Sequence, residues 1–161
     1  MVSNLKVDKI QSVAGTTTAM EIDSSGRVLL PQLIAFHGKK TDTDTYNTIG
    51  QAIPFNQTKL AHSAWNGTTF TAPIAGTYRF FVNGHHQSAS GGTFELAIYK
   101  NGSSYETSYN LSDSTHRSRA SVEAILNLVV SDTIDFRLLQ GDVYGGSGGG
   151  SGIMCTGHLL G

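Results

Sequence analysis

From residue 33 onward, apolar residues alternate with polar ones in short runs separated by Gly, Asn and Ser, the period-two mark of half-buried strands. Gln51–Phe55 reads as a short apolar strand, and Phe70 to Val82 carries Tyr78 and Phe80 in alternation. Phe94–Tyr99 alternates through Phe94, Leu96 or Ala97, and Ile98, and Lys100-Asn101-Gly102-Ser103 is a strong hairpin turn before Tyr105–Leu111. Within Ser121–Val130 the residues Val122, Ala124, Leu126 and Leu128 share one face. A helix competes there, but the period-two set and the β-branched residues favour a strand. Ile134, Phe136 and Leu138 share a face of the next strand, and Ile153–Leu160 closes the chain. About eight strands without a 3.6-residue period predict an all-β sandwich or jelly roll.

The first 32 residues have a different grammar. Leu5 and Val7 alternate with polar neighbours, Gly15-Thr16-Thr17-Thr18 breaks the run, and Met20 and Ile22 alternate again. Ser24-Ser25-Gly26 turns the chain before Val28 and Leu30, and Pro31 ends the pattern. The expected product is a small hairpin with one apolar face. Such a hairpin is marginal in water because it cannot cover that face itself. The simplest cover is the same segment of another copy of the chain.

Composition supports strands and turns. The 161 residues include 19 Gly, 17 Ser, 17 Thr and 8 Asn, while strong helix formers are scarce. Eleven Lys and Arg against 12 Asp and Glu leave a net charge of −1, with no basic stripe of the kind that holds nucleic acid by its phosphates. No apolar run approaches a membrane span, and residues 1–7 show no signal-peptide pattern. Cys155 is the single cysteine, so the expected fold relies on packing or assembly rather than an internal disulfide. The sequons at Asn56, Asn66, Asn101 and Asn110 are no more than a chain so rich in Ser and Thr would contain by chance.

At Phe70-Thr71-Ala72-Pro73-Ile74-Ala75-Gly76-Thr77-Tyr78-Arg79-Phe80 the sequence resembles the Phe-x5-Gly-x-Tyr-x-Phe signature of C1q-like domains, part of the tumour-necrosis-factor jelly-roll superfamily. Ile53-Pro54-Phe55-Asn56, Tyr99-Lys100-Asn101-Gly102 and Thr156-Gly157-His158-Leu159-Leu160 resemble three further pieces of that family, in family order. Cys155 stands where the family usually has Phe, and no collagen-like repeat precedes the domain. Upstream, Leu5-Lys6-Val7-Asp8-Lys9-Ile10-Gln11-Ser12 and Met20 to Leu29 are similar to the end of bacteriophage tail-fibre shafts. The resemblance implies an all-β C1q/TNF-like jelly-roll head over residues 33–161, preceded by a short β-rich stalk or trimerisation segment over residues 1–32. It further implies a homotrimer carried on the virion among other tail proteins, extracellular after lysis. Tyr78, Phe80, Tyr99, Tyr109 and Phe136 are the candidates for the trimer interface or the core.

Counting antiparallel strands back from Ile153–Leu160 sorts the loops. If the last strand returns to the base, Asp142–Gly152, Ser112–Ser118, His85–Gly92 and Gly38–Thr48 share the far end, and Lys100–Ser103 and Val130–Thr133 share the base. Loops on a rigid scaffold are where recognition concentrates. In the far loops Tyr46, His85, His86, His116, Arg117 and Tyr144 can stack on or hydrogen-bond a host receptor, with a surface glycan as the fitting ligand. The alternatives are a structural trimerisation cap, in which the Gly-rich tract after Tyr144 is a passive lid, and a soluble C1q-like lectin.

Other signals are weaker. Gly145-Gly146-Ser147-Gly148-Gly149 matches a nucleophile elbow by letter only, since that motif works on a strand-to-helix turn. His85 and His86 are adjacent and point to opposite faces of a strand, which does not make a metal pair. Asp42 and Asp44 could hold calcium with backbone carbonyls, though a solvated Thr-rich loop is the simpler reading. No carboxylate pair, triad or metal set emerges, so neither enzymatic activity nor a cofactor is expected.

Overall fold

The computed structural model describes residues 9–11, 18–29, 33–41, 46–86, 92–112, 118–143 and 152–161. The chain divides into two units, residues 1–34 and 35–161. In the first, β1 (Lys9–Gln11), β2 (Thr18–Ile22) and β3 (Val28–Leu29) form an antiparallel meander, one strand more than the expected hairpin. The Asp23 carboxylate shapes its second turn, accepting from the Ser25 and Arg27 amides at 2.9 Å and from Arg27 Nε at 2.7 Å. Ile10, Ile22 and Val28 remain exposed on this small sheet. Leu5, Val7, Leu30 and Pro31 lie outside the described residues.

The second unit holds β4 (Ala35–Lys39), β5 (Gln57–Leu60), β6 (Thr69–Thr71), β7 (Gly76–His85), β8 (Gly92–Lys100), β9 (Ser103–Ser112), β10 (Arg119–Leu128), β11 (Thr133–Gln140) and β12 (Met154–Leu159). They make a five-stranded sheet, β10-β7-β12-β4-β5, and a four-stranded sheet, β6-β11-β8-β9, with every pair antiparallel. Apart from the paired neighbours β4/β5 and β8/β9, consecutive strands sit in different sheets, so the chain crosses repeatedly between layers in a jelly-roll order. Alternation explains the layering: every second residue of β10, from Ala120 to Leu128, is buried.

The inner faces enclose an aromatic core. Phe36 stacks on Trp65 with centroids 4.2 Å apart, and Phe70 meets Tyr78 at 5.4 Å and Phe80 at 5.3 Å. Phe94, Leu96, Ile98, Ile134, Phe136 and Leu138 complete it from the other sheet. Rings this large bring most of the burial energy and constrain what stands beside them. Gly157 pairs with both Phe36 and Phe80, and a Cβ there would overlap the Phe36 ring and come within 2.7 Å of Phe80. Only glycine fits.

Two sequence expectations are corrected. Gln51–Phe55 is not a strand. Pro54 lacks a ladder donor, and the segment instead drops Ile53 and Phe55 into the core as a loop, with the Ile53 amide donating to Phe136 O and the Phe55 amide to Gly67 O. Phe70 to Val82 is two strands in opposite sheets, split at Pro73, so the signature spans a corner. The Ser121–Val130 stretch is a strand, as its periodicity predicts.

Candidate functional site

Strand registers place four connections at one end of the sandwich. Lys39, Gln57, His85, Arg119 and Met154 share one end of the five-stranded sheet, and Gly92, Ser112 and Gln140 share that end of the other. The connections over 40–56, 86–91, 113–118 and 141–153 therefore gather there. The 101–102 and 129–132 turns lie at the opposite end, where Lys100 pairs with Ile134. This is the grouping that strand counting predicts. The jelly roll changes which strands are neighbours, but β7/β8, β9/β10 and β11/β12 still reverse direction at each of these loops.

Val143 ties the loop end together. Its backbone exchanges hydrogen bonds with Tyr46, at 2.7 and 3.2 Å, and bridges to His86, whose amide in turn donates to Ser118 O at 2.9 Å. Three of the four connections are thus joined through one residue and the fourth through His86. Tyr46 is half-buried, its hydroxyl 3.5 Å from the carbonyls of Gln51 and Ala52, with Lys40 Nζ 5.4 Å from its ring centroid. Burial pushes the Tyr46 phenol up, partly offset by a hydrogen bond with Thr48. Sequence patterning misses Val143 and Lys40. Val143 stands between Asp142 and Tyr144 ahead of a Gly tract, which carries no periodic signal.

The sequence-predicted recognition residues separate. His85 faces outward beside Arg119, its partner across β7 and β10. His86 is turned inward, 4% exposed, stacked on Phe94 with centroids 5.5 Å apart and with Nε2 3.1 Å from Asp142 Oδ1. It braces the loops from beneath and does not present its ring to a ligand, because adjacent strand residues face opposite ways and this one faces the core. Tyr46 offers part of its ring. His116, Arg117 and Tyr144 lie outside the described residues, as do Asp42 and Asp44 and the Gly145–Gly149 motif. Among the described residues no cluster of His, Cys, Asp or Glu is arranged to hold a metal ion.

Of the interface-or-core candidates, Tyr78, Phe80 and Phe136 are core. Tyr99 lies on the outer face of the four-stranded sheet under Arg137, whose guanidinium carbon is 4.0 Å from the ring centroid. Tyr109 is exposed on the edge strand β9. Cys155 is fully buried, and burial pushes its thiol well up, so it packs as a small apolar group rather than a nucleophile.

A model of the C1q domain matches residues 35–160, the whole sandwich. The chain belongs to the C1q domain family. Among solved structures it is similar to the globular domain of zebrafish complement 1qA protein, with a TM-score of 0.64 and 16% identity over 78% of this chain and 96% of that one. Eiger TNF from S. frugiperda superimposes with a TM-score of 0.62 at 13% identity, covering 80% of this chain and 93% of that one. Murine APRIL at pH 5.0 gives 0.59 at 10% identity, covering 80% and 100%. At these identities the likeness carries the fold alone. Among curated proteins nothing matches the chain in sequence.

The family signature has a physical basis here. Tyr78 and Phe80 face inward against Phe70, and the Tyr78 hydroxyl donates to Ile74 O at 2.9 Å, closing the Pro73 corner. A Cβ at Gly76 would sit 2.7 Å from Leu159 and 3.1 Å from Gly161 O, where the Thr77 amide clamps the C-terminus at 2.7 Å.

Proposed function

We propose that this C1q domain is the homotrimeric tip of a bacteriophage tail fibre, and that it attaches the virion to a host-surface receptor, a glycan, through its gathered loops. The observation that carries this reading is the polarity of the sandwich. The chain enters β4 at Ala35, paired with His158 near the end of β12, so it joins the domain at the end away from the four loops. In this reading the four loops, at the end of the sandwich opposite Ala35, are the part that meets the receptor. The shaft-like sequence of residues 5–12 and 20–29 supplies the fibre context, and attachment is the task of such a tip.

Assembly is supported by surface that one copy leaves uncovered. β9 is a ten-residue edge strand with a single charge, Glu106, yet it exposes Tyr105, Tyr109 and Leu111. Natural edge strands are usually shortened or charged to prevent pairing with other chains. The edges across the sandwich, β5 and β6, are only four and three residues long. An apolar edge that fits a different face of the next copy makes a heterologous contact, which closes into a ring when the rotation allows.

The test is competition for host adsorption. Purified full-length chain blocks adsorption of the phage, and deletion of residues 145–151 abolishes the block while the thermal unfolding midpoint stays unchanged. Undiminished competition by the deletion variant would move receptor binding off residues 145–151, and no block by the unaltered chain would leave the head as a trimerisation cap.

A further inference from the structure

In an Asn-Gly pair the asparagine side chain is open to attack by its own backbone, because glycine has no Cβ to shield the amide that follows. The chain holds three such pairs, Asn66-Gly67, Asn83-Gly84 and Asn101-Gly102. The reaction is an internal acyl transfer. The glycine nitrogen gives its proton to water and bonds to the asparagine Cγ. The Cγ–Nδ2 bond breaks, and that nitrogen takes up a proton and leaves as ammonia. Water then opens the five-membered imide at either carbonyl, giving aspartate or isoaspartate. Local sequence makes the three pairs equivalent, and the fold makes them different.

Asn83 lies within β7, paired with Ser121 on one side and Met154 on the other. Its Nδ2 donates to Ser121 Oγ at 2.5 Å, and a Cβ on Gly84 would come within 3.3 Å of both Ile153 and Phe94. Closing the imide there would pull the residue out of two ladders at once. Asn101 is tied through its backbone and through both ends of its side chain. Its amide donates to Thr133 O at 2.9 Å, its Nδ2 to Asp132 Oδ1 at 2.8 Å, and its Oδ1 accepts from the Thr133 amide at 2.8 Å. The nitrogen that must leave is therefore bonded to a carboxylate. Asn66 differs from both. It is exposed and outside any strand, and its backbone amide makes a longer bond, 3.2 Å to Thr69 O. Its Oδ1 accepts from the Thr68 and Thr69 amides at 2.9 and 2.8 Å, while among the described residues no bond holds its Nδ2. Two amides on the oxygen that turns negative as the imide forms, with the leaving nitrogen free, favour this transfer.

We propose that Asn66 is a self-modifying site: in the folded protein it converts to aspartate and isoaspartate through the Gly67 imide, while Asn83 and Asn101 persist. Each event replaces a neutral amide by a carboxylate and takes the formal net charge from −1 to −2. The isoaspartyl product also lengthens the backbone between Trp65, whose indole stacks on Phe36, and Gly67, whose carbonyl accepts the Phe55 amide. The inference needs only the folded head and stands whether or not the fibre-tip reading does.

Incubation of the full chain in mildly alkaline buffer made with heavy-oxygen water tests it, read by mass-spectrometric peptide mapping and an isoaspartyl-specific methyltransferase. Labelled aspartate and isoaspartate accumulate at residue 66. Residues 83 and 101 react at least about tenfold more slowly, because each must first give up the hydrogen bonds that hold its side chain. In the same chain unfolded by guanidinium, the three residues react within about threefold of one another, since the fold no longer separates them. Conversion at residue 83 or 101 as fast as at residue 66 in the folded chain overturns the proposal. So does an Asn66 that stays intact through the incubation, or an equal preference for Asn66 in the unfolded chain.

Discussion

Asn101 and Asp132 lock together the two tight turns at the end of the sandwich opposite the loops: Asn101 Nδ2 donates to Asp132 Oδ1 at 2.8 Å, and Asn101 Oδ1 accepts from the Thr133 amide at 2.8 Å. Asp132 also accepts from the Val129 amide at 3.0 Å and meets Lys100 Nζ at 3.0 Å. The Asn101 bond, then Val129, then Lys100 hold this carboxyl down at about 2, against 3.8 for an ordinary aspartate. The folded protein therefore binds the proton more weakly than the unfolded chain. The resulting stabilisation is complete above the unfolded value and is lost as pH falls from about 4 toward 2. The unfolding midpoint of Asp132→Asn is expected to lie below that of the unaltered chain at pH 7, with the gap narrowing across that window. A gap constant from pH 7 to pH 2 would remove Asp132 from the acid response.

Gly157→Ala is expected to be strongly destabilising. In an ordinary strand position alanine is favoured over glycine by about 0.5–1 kcal/mol. Here the added methyl collides with Phe36 and Phe80 in a core without slack, and overpacking of this kind costs about 1–3 kcal/mol or more. Denaturant midpoints measure the loss, and Phe36→Leu in the same chain should recover part of it by making room. An alanine variant as stable as the parent would mean that the strands move apart freely at this point.

The parts of the fold legible in the sequence are those in which one local rule acts alone. β10 shows this, with ten residues in strict alternation, and so does the Asn101-Gly102 turn, where φ of 52° and 77° suits the two residue types that tolerate it best. From β7 to β12 parity of strand direction even places the loops, because successive strands there reverse whatever their lateral order, whereas β5 and β6 run the same way. What failed depended on tertiary context. Gln51–Phe55 has strand-like composition, but Pro54 and the waiting core make it a loop. His86 has the chemistry of a recognition residue, but which of two adjacent histidines faces inward depends on register. The loop end is tied together by Tyr46, His86, Ser118 and Val143, residues up to 97 positions apart, and no sequence window contains them.

Arg137 connects the rigid sheet to the loop end. It pairs with Asp135 through Nε at 2.6 Å and a terminal nitrogen at 3.0 Å, lies over Tyr99, and donates to Gly50 O at 2.9 Å. Gly50, with φ of 75°, belongs to the segment that carries Tyr46 to its contact with Val143. Lysine keeps the charge but cannot make the fork and the carbonyl bond together. Arg137→Lys should cost about 1–3 kcal/mol, as expected for lost hydrogen bonds to a charged group. Amide hydrogen exchange is expected to rise at Gly50 and Tyr46 and to stay unchanged in β10. Uniform acceleration throughout the domain would indicate a global loss of stability instead of a local tether.

The edge strand β9 offers the most direct test of assembly. Tyr109 is 69% exposed and Leu111 68%, so neither contributes much to the core of its own subunit. Replacing exposed residues usually changes stability by no more than about 0.5 kcal/mol. Both lie on the sheet's outward side, where Tyr109 pairs with Glu95 and Leu111 with Thr93. Burying two lysines there against another copy would desolvate their charges without partners. Light scattering on the unaltered chain is expected to give a mass near three times 17.1 kDa, and Tyr109→Lys/Leu111→Lys should give a folded species near the single-chain mass. A trimer that survives the double variant would move the contact off β9. A monomeric parent would sink the trimeric fibre-tip reading outright, because three stalks could not then be held in register by their heads.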